Sequence, residues 1–283
     1  MTEEKFDFTY LSLGAGIQST AMLLMANSPE LRKKYNIPLP AYAVFSDTQS
    51  EHPWLYAHLE KLKELSDIPI VVVTAGNLGR ETLHGRPGLT PEGEPYKKFV
   101  SIPVFSMENG QRQLLRRQCT NTHKLAPIRR WCRAKLGYKP RQRVKEKVRV
   151  LIGISLEEAI RMKPSRDKWV TNTYPLVDSR ITRGQCLEII EDAGWPRPEK
   201  SACTFCAFHS SDHWKRLKKY PPDIFQETCE FDEAIRNLSQ KGEEAPIFLH
   251  DSCKPLAEVN FDSDQLEFGF EGFGNECEGM CGV

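Results

Sequence analysis

No apolar run in this chain approaches the roughly 20 residues that a membrane-spanning helix requires. The longest, such as Ile68 to Val73, have the length of buried strands. The opening residues, Met1-Thr2-Glu3-Glu4-Lys5-Phe6-Asp7, lack the basic-then-apolar order of a secretory leader, so the cytoplasm is expected and no membrane partner is. An even, regularly spaced cysteine set is also missing. The nine cysteines are odd in number and uneven in spacing. In a reducing compartment that pattern argues for metal ligands, catalytic thiols or buried apolar residues rather than a disulfide framework. Internal repeats and low-complexity tracts are absent as well, which removes solenoids and linkers.

What is present is an ordinary globular composition, 40% hydrophobic and 27% charged over 283 residues, enough for one α/β domain with an appendage. The net charge of +1 conceals a segregation along the chain. Residues 116–149 hold thirteen Lys or Arg and a single acid, Glu146, whereas residues 258–283 hold seven acids and no base. The basic run suits a nucleic-acid backbone, and the acidic tail is equally suited to folding across it; charge alone does not choose.

Hydrophobic periodicity predicts a strand over Phe6–Leu13, a glycine turn, then a helix over Gln18–Met25. A second strand, Leu39–Phe45, stops at Ser46-Asp47-Thr48 and leads into a helix over His52–Leu65; a third strand spans Ile68–Thr74. Gly76 to Pro103 reads as irregular, Lys124–Leu136 as a helix and Val148–Ile154 as a buried strand. Helices follow over Gln185–Gly194 and Pro222–Leu238. Strands alternating with helices predict a parallel twisted sheet with helices on both faces. Ligands of such folds sit at the carboxyl ends of strands, where the loops at Gly14, Asp47 and Gly153 fall. The division expected is a nucleotide-binding domain over 1–215 and a helical extension with an acidic cysteine-bearing tail over 216–283.

The first chemical motif is Leu11-Ser12-Leu13-Gly14-Ala15-Gly16-Ile17-Gln18-Ser19-Thr20. A strand running into small residues at a helix start aims backbone N–H groups and the positive helix end at an anion, and Ser12, Ser19 and Thr20 add hydroxyls. It lacks the Gly-Lys-Ser/Thr ending of a Walker loop and the third glycine of a dinucleotide fingerprint. An ordinary tight strand-to-helix turn explains it equally well in isolation. Three thiols in loops, Cys119, Cys203 and Cys206, are one short of a closed tetrahedral zinc or cubane site.

In order along the chain, these segments resemble the PP-loop proteins of the adenine nucleotide α-hydrolase-like superfamily, especially the phosphoadenosine phosphosulfate (PAPS) and adenosine phosphosulfate (APS) reductases. Gly14-Ala15-Gly16-Ile17-Gln18-Ser19 is similar to the PP-loop, and Ser46-Asp47-Thr48 to the family's Asp-Thr-Gly turn. Cys119 to Arg130 looks like the Cys-Cys-x-x-x-Lys-x-x-Pro-x-x-Arg segment, with Thr120 where the second cysteine would stand. Tyr174-Pro175-Leu176-Val177-Asp178 resembles Asn-Pro-Leu-x-Asp, and Cys203-x-x-Cys206 the second cysteine pair. Gly153-Ile154-Ser155 is similar to the family's Gly-x-Arg, with Ser155 in place of the arginine.

The resemblance implies a PP-loop fold that binds ATP, PAPS or APS through Ser12, Gly14, Gly16, Gln18, Ser19, Thr20, Asp47, Lys124, Arg129, Arg130 and Gly153. It implies a [4Fe-4S] cluster on Cys119, Cys203 and Cys206 with one iron open; zinc completed by His209, His123 or Cys132, or no metal, are the alternatives. Glu276-Cys277 is similar to the start of the terminal Glu-Cys-Gly of these reductases, although Glu278 follows. It makes Cys277 the candidate nucleophile, with a thioredoxin-like reductant as partner. His209, His213 and Trp214, just past the cysteine pair, fit capping roles as well as ligation. Three functions follow: reductive cleavage of a sulfonucleotide through Cys277, ATP-dependent thiolation of tRNA or DNA held at residues 116–149, or a non-catalytic nucleotide-binding subunit.

Overall fold

The computed structural model describes residues 5–90, 92–219, 222–238 and 245–261. Its centre is a five-stranded all-parallel sheet, β1 (Phe8–Leu13), β2 (Tyr42–Asp47), β3 (Ile70–Thr74), β8 (Val148–Ile152) and β9 (Val170–Thr173), in the order β3-β2-β1-β8-β9. The chain winds outward from β1 through β2 to β3, then returns and places β8 on the other side of β1. The strand order therefore reverses at β1 and β8, and the loops leaving their carboxyl ends open a crevice there.

Alternation along β1 decides which face each side chain joins. Leu11 and Leu13 pack with α1 (Ile17–Asn27), α3 (Pro53–Leu65) and α7 (Arg183–Asp192). Tyr10 points to the opposite face, where Ile128 and Cys132 of α5 (Ala126–Lys135) meet Val148, Val150 and Ile152. Helix α1 is buried from Gln18 to Ala26, as a helix apolar nearly all round must be when it lies between a sheet and another helix. A short α2 (Pro29–Tyr35), capped by Ser28, carries the chain to β2. This α/β sheet with helices on both faces is the predicted fold class.

Smaller elements fill the connections between the strands and follow the sheet. The stretch expected to be irregular contains α4 (Leu78–His84) and a hairpin of β4 (Arg86–Leu89) and β5 (Pro95–Lys98). The Asn77 side chain caps α4 by accepting Arg80 N–H at 2.8 Å. β6 (Phe105–Glu108) and β7 (Gln111–Leu114) turn at Asn109-Gly110, both at positive φ, and β10 (Ile247–Phe248) pairs with β6. The helix predicted from Lys124 starts earlier, as a π-helical turn over Thr120–Leu125. A short α6 (Pro175–Asp178), α8 (Ser211–Lys219) and α9 (Pro222–Ile235) are the remaining α-helices among the described residues. α8 runs through the expected 215/216 division, and Ile235, Ile247 and Leu249 share one core cluster with Leu78, Ile102 and Phe205. Among the described residues, no helix is long and apolar enough to cross a membrane.

Candidate functional site

The glycine loop Gly14-Ala15-Gly16 leaves β1 at the point where strand order reverses. Ala15 holds a left-handed φ of 55° in the loop interior. Ser19 closes the first turn of α1, its Oγ accepting Gly16 N–H at 3.2 Å. The neighbouring loop after β8 presses directly on this turn: a Cβ on Gly153 would lie 2.8 Å from Ser19 N and 2.9 Å from the Gln18 carbonyl carbon. Gly153 is thus required by the approach of two backbones.

Several residues of the predicted nucleotide set turn out to hold the loop. Gln18 is fully buried and donates its amide to Glu158 Oε2 at 3.2 Å and Ser155 Oγ at 3.4 Å, tying the α1 start to the loop after β8. Thr20 meets His58 Nε2 at 3.2 Å on the far side of α1. Ser12 is buried on β1. Asp47 ends β2, where its Oδ1 accepts Gln49 N–H at 2.7 Å and the Tyr56 hydroxyl at 2.9 Å.

The cysteine-bearing loop docks over this point. Ser201 Oγ donates to the Gly14 carbonyl at 2.5 Å, and Cys203 forms an isolated β-bridge with Glu51. Cys203 Sγ lies 3.3 Å from Thr48 Oγ1 and 3.8 Å from Glu51 Oε1, while Lys124 Nζ stands 3.9 Å from that same oxygen. Burial and then the Glu51 charge push the Cys203 thiol well above the usual range. Ser46 Oγ donates to the His123 carbonyl at 2.7 Å, fixing the π-helical turn to the end of β2. A small cleft remains among Gly14, Ser46, Glu51, Lys124 and Ser201.

Cys119, Cys203 and Cys206 fall in one buried apolar cluster with Leu78, Ile102 and Phe205. Cys132 lies in the α5–sheet core instead, its thiol pushed up to about 12 by burial. His123 faces Glu81 Oε2 at 3.2 Å, and Glu81 is held in turn by Arg86. Cys277 and the acidic residues beyond Phe261 lie outside the described residues.

Arg129 and Arg130 find their partners outside the glycine loop. Arg129 pairs with Asp167 and lines a cavity of about 210 Å³ bounded by Tyr10, Ile128, Trp169 and Asn172. Arg130 is exposed and returns to the Ala126 carbonyl at 3.4 Å. Ile128 forms a wall of both this cavity and the small cleft at Gly14, so the two are neighbours on the α5 face.

A third grouping involves histidines. His52, at the start of α3, His209, after the cysteine loop, and His213, on α8, each place one ring nitrogen within 4.8 Å of the others. Burial pulls His52 down to about 3 and His213 to about 4, and holds His209 well below its usual value, so all three rings are neutral at neutral pH.

The sequence reading did not include Glu51, Ser201 or His52. Each makes a contact across more than 140 residues of chain separation, and a single polar residue carries no local mark of such a contact. His209 was expected as an alternative zinc ligand beside the cysteines, and His209 and His213 as capping residues or ligands; their grouping with His52 was not foreseen.

No family model and no curated protein matches the chain. Among solved structures, the chain is similar to a phosphoadenylyl-sulfate (PAPS) reductase from Candida auris, crystallised as a phosphate complex. The identity is 14%, the match covers 69% of this chain and 77% of that one, and the TM-score is 0.39.

Proposed function

We propose that this protein binds an adenine sulfonucleotide at the β1/β8 crevice and cleaves it reductively, in the manner of the PAPS and APS reductases its motifs resemble. The reading is carried by one observation: Ser201 bonds to the glycine loop at Gly14, so the loop bearing Cys203 and Cys206 and the buried cation Lys124 meet the anion-binding turn at the strand switch point. Phosphate oxygens face the N–H groups at the start of α1 and Lys124, and the purine occupies the adjoining cavity beside Trp169 and Asp167.

The thiol set supports a resident group as well. Cys119, Cys203 and Cys206, all buried in one apolar cluster, are the residues that would hold a [4Fe-4S] cluster, whose irons take soft thiolate ligands. When bound, that group supplies an iron centre with one position left for a sulfur ligand. The residues of the chain do the remainder. Lys124 and the glycine loop orient the sulfonucleotide, and Glu51 holds Lys124 in place. The Cys277 thiolate attacks the sulfate sulfur, forming an S–S bond as the S–O bond to the phosphate breaks; the nucleotide leaves with that electron pair. One thiol of an external dithiol then attacks Cys277 Sγ and releases sulfite, and its second thiol breaks the mixed disulfide so formed, freeing the Cys277 thiolate and leaving the dithiol as a disulfide.

The test is anaerobic incubation with PAPS or APS and a dithiol. Sulfite release by the wild type, with Cys277→Ser retaining nucleotide binding but releasing none, is the expected result. Pyrophosphate from ATP without sulfite would replace this reading by thiolation of a nucleic acid, and neither product would leave a binding subunit.

A further inference from the structure

The histidine grouping has no part in the sulfonucleotide chemistry, and it is built differently from a surface cluster. We propose that His52, His209 and His213 form a binding site for a zinc-class divalent cation, separate from the three cysteines, with a fourth position open to water. Two regions distant in sequence converge on it: the start of α3, and the segment following Cys206 together with the α8 that continues from it. His52 Nε2 and His213 Nε2 stand 3.2 Å apart. Two nitrogens each about 2.0–2.1 Å from a tetrahedral zinc are separated by about 3.3 Å, so this pair already has the spacing of two ligands.

The third ligand is prepared by its own hydrogen bond. His209 Nε2 meets the Cys203 carbonyl at 2.9 Å; because a carbonyl only accepts, that nitrogen carries the proton and Nδ1 presents a bare lone pair. His209 is 7% exposed and His52 is fully buried, yet the Nδ1 of each has no hydrogen-bond partner among the described residues. Buried acceptors left without partners are costly, and a cation within the triangle removes that cost for His209.

The surroundings hold the rings in place. Trp54 stacks on His52 at 4.0 Å, and Trp214 meets His209 edge-on at 4.7 Å. The nearby cations are engaged elsewhere, Arg216 with both Glu199 oxygens and Lys200 with the Phe208 carbonyl. The rings of His209 and His213 stack at 3.9 Å, and His213 is the least buried of the three. Three neutral imidazoles, grouped with no carboxylate among the described residues, select zinc, copper or nickel over magnesium or calcium. The metal would clamp the cysteine loop to α3, since His209 is bonded to the Cys203 carbonyl itself.

The experiment measures zinc in protein purified without chelator, followed by zinc titration of the chelator-treated chain and cobalt substitution. The expected result is about one zinc per chain, retained in Cys203→Ser and weakened at least about tenfold in His213→Gln, with cobalt giving visible d–d absorption but no thiolate charge-transfer band. A circular dichroism spectrum unchanged in His213→Gln separates lost ligation from lost folding. Absence of zinc binding, zinc that follows Cys203→Ser while ignoring His213→Gln, or a thiolate charge-transfer band in the cobalt-loaded wild type would each overturn the assignment. That last measurement needs no variant.

Discussion

Replacing Gly153 by alanine tests whether the two loops at the strand switch point act as one unit. The new Cβ would stand 2.8 Å from Ser19 N, 2.9 Å from the Gln18 carbonyl carbon and 3.0 Å from Ser19 Cα. Carbon contacts are optimal at about 3.5–4.0 Å, so the overlap is roughly 0.5–1 Å, and all three atoms are backbone. No rotamer change relieves it; either the loop after β8 or the first turn of α1 must move. Overpacking of this kind costs about 1–3 kcal/mol, which for a chain of this size lowers Tm by about 2–10 °C. The displacement falls on the N–H groups at the start of α1, which the proposed function sets against the phosphates, so turnover should drop by up to about 100-fold, more than the stability loss alone explains. Gly184→Ala is the control, because its Cβ meets nothing nearer than Thr182 Oγ1 at 3.9 Å and it lies in α7. It should gain about 0.5–1 kcal/mol. Differential scanning calorimetry and nucleotide titration of both variants read the outcome. A Gly153→Ala protein with wild-type Tm and wild-type nucleotide affinity would refute the close approach and the loop coupling built on it.

Three further outcomes are expected. Ser201→Ala removes the buried hydrogen bond to Gly14 and should cost about 1–3 kcal/mol in denaturant unfolding together with nucleotide affinity; a loss of stability with affinity unchanged would detach the cysteine loop from the site. Anaerobically purified protein should contain iron and acid-labile sulfide that Cys203→Ser loses, and a wild type holding neither would remove the cluster from the account. His58 is held neutral by burial, its pKa lowered from 6.5 to about 4. As pH falls through 6.5 the unfolded chain takes up that proton first, so the stability His58 contributes is complete above 6.5 and declines toward about pH 4. Thermal unfolding across this window should show a shallower decline in His58→Gln, and an identical pH profile would contradict the assignment.

The parallel core was legible because each of its central strands and helices carries its own period. Leu11 and Leu13 alternate with Tyr10, and Leu55, Leu59 and Leu62 fall on one face of α3. The edge strand β9, Val170-Thr171-Asn172-Thr173, was not legible, since a short polar strand gains its pairing from Val148–Leu151 rather than from its own apolar content. The β6–β7 hairpin did carry a signal, the Asn109-Gly110 turn, hidden within a stretch otherwise rich in polar residues. At the site, the glycine loop and the three cysteines were marked by residue type and spacing. The work of Gln18 was not: an amide that reads as a nucleotide ligand is buried against Glu158 and Ser155, contacts formed 137 and 140 residues away. Ser155, standing where the resembling family has arginine, is thereby part of the loop lock.

The most direct test of the central claim is isothermal titration of adenosine 3′,5′-bisphosphate, the nucleotide left when sulfite is removed from PAPS, against the wild type, Lys124→Met and Ser201→Ala. The account predicts saturable binding by the wild type that outcompetes the guanine counterpart and weakens in both variants. Absence of binding, or binding indifferent to both substitutions and to the base, would contradict a nucleotide site at the β1/β8 crevice.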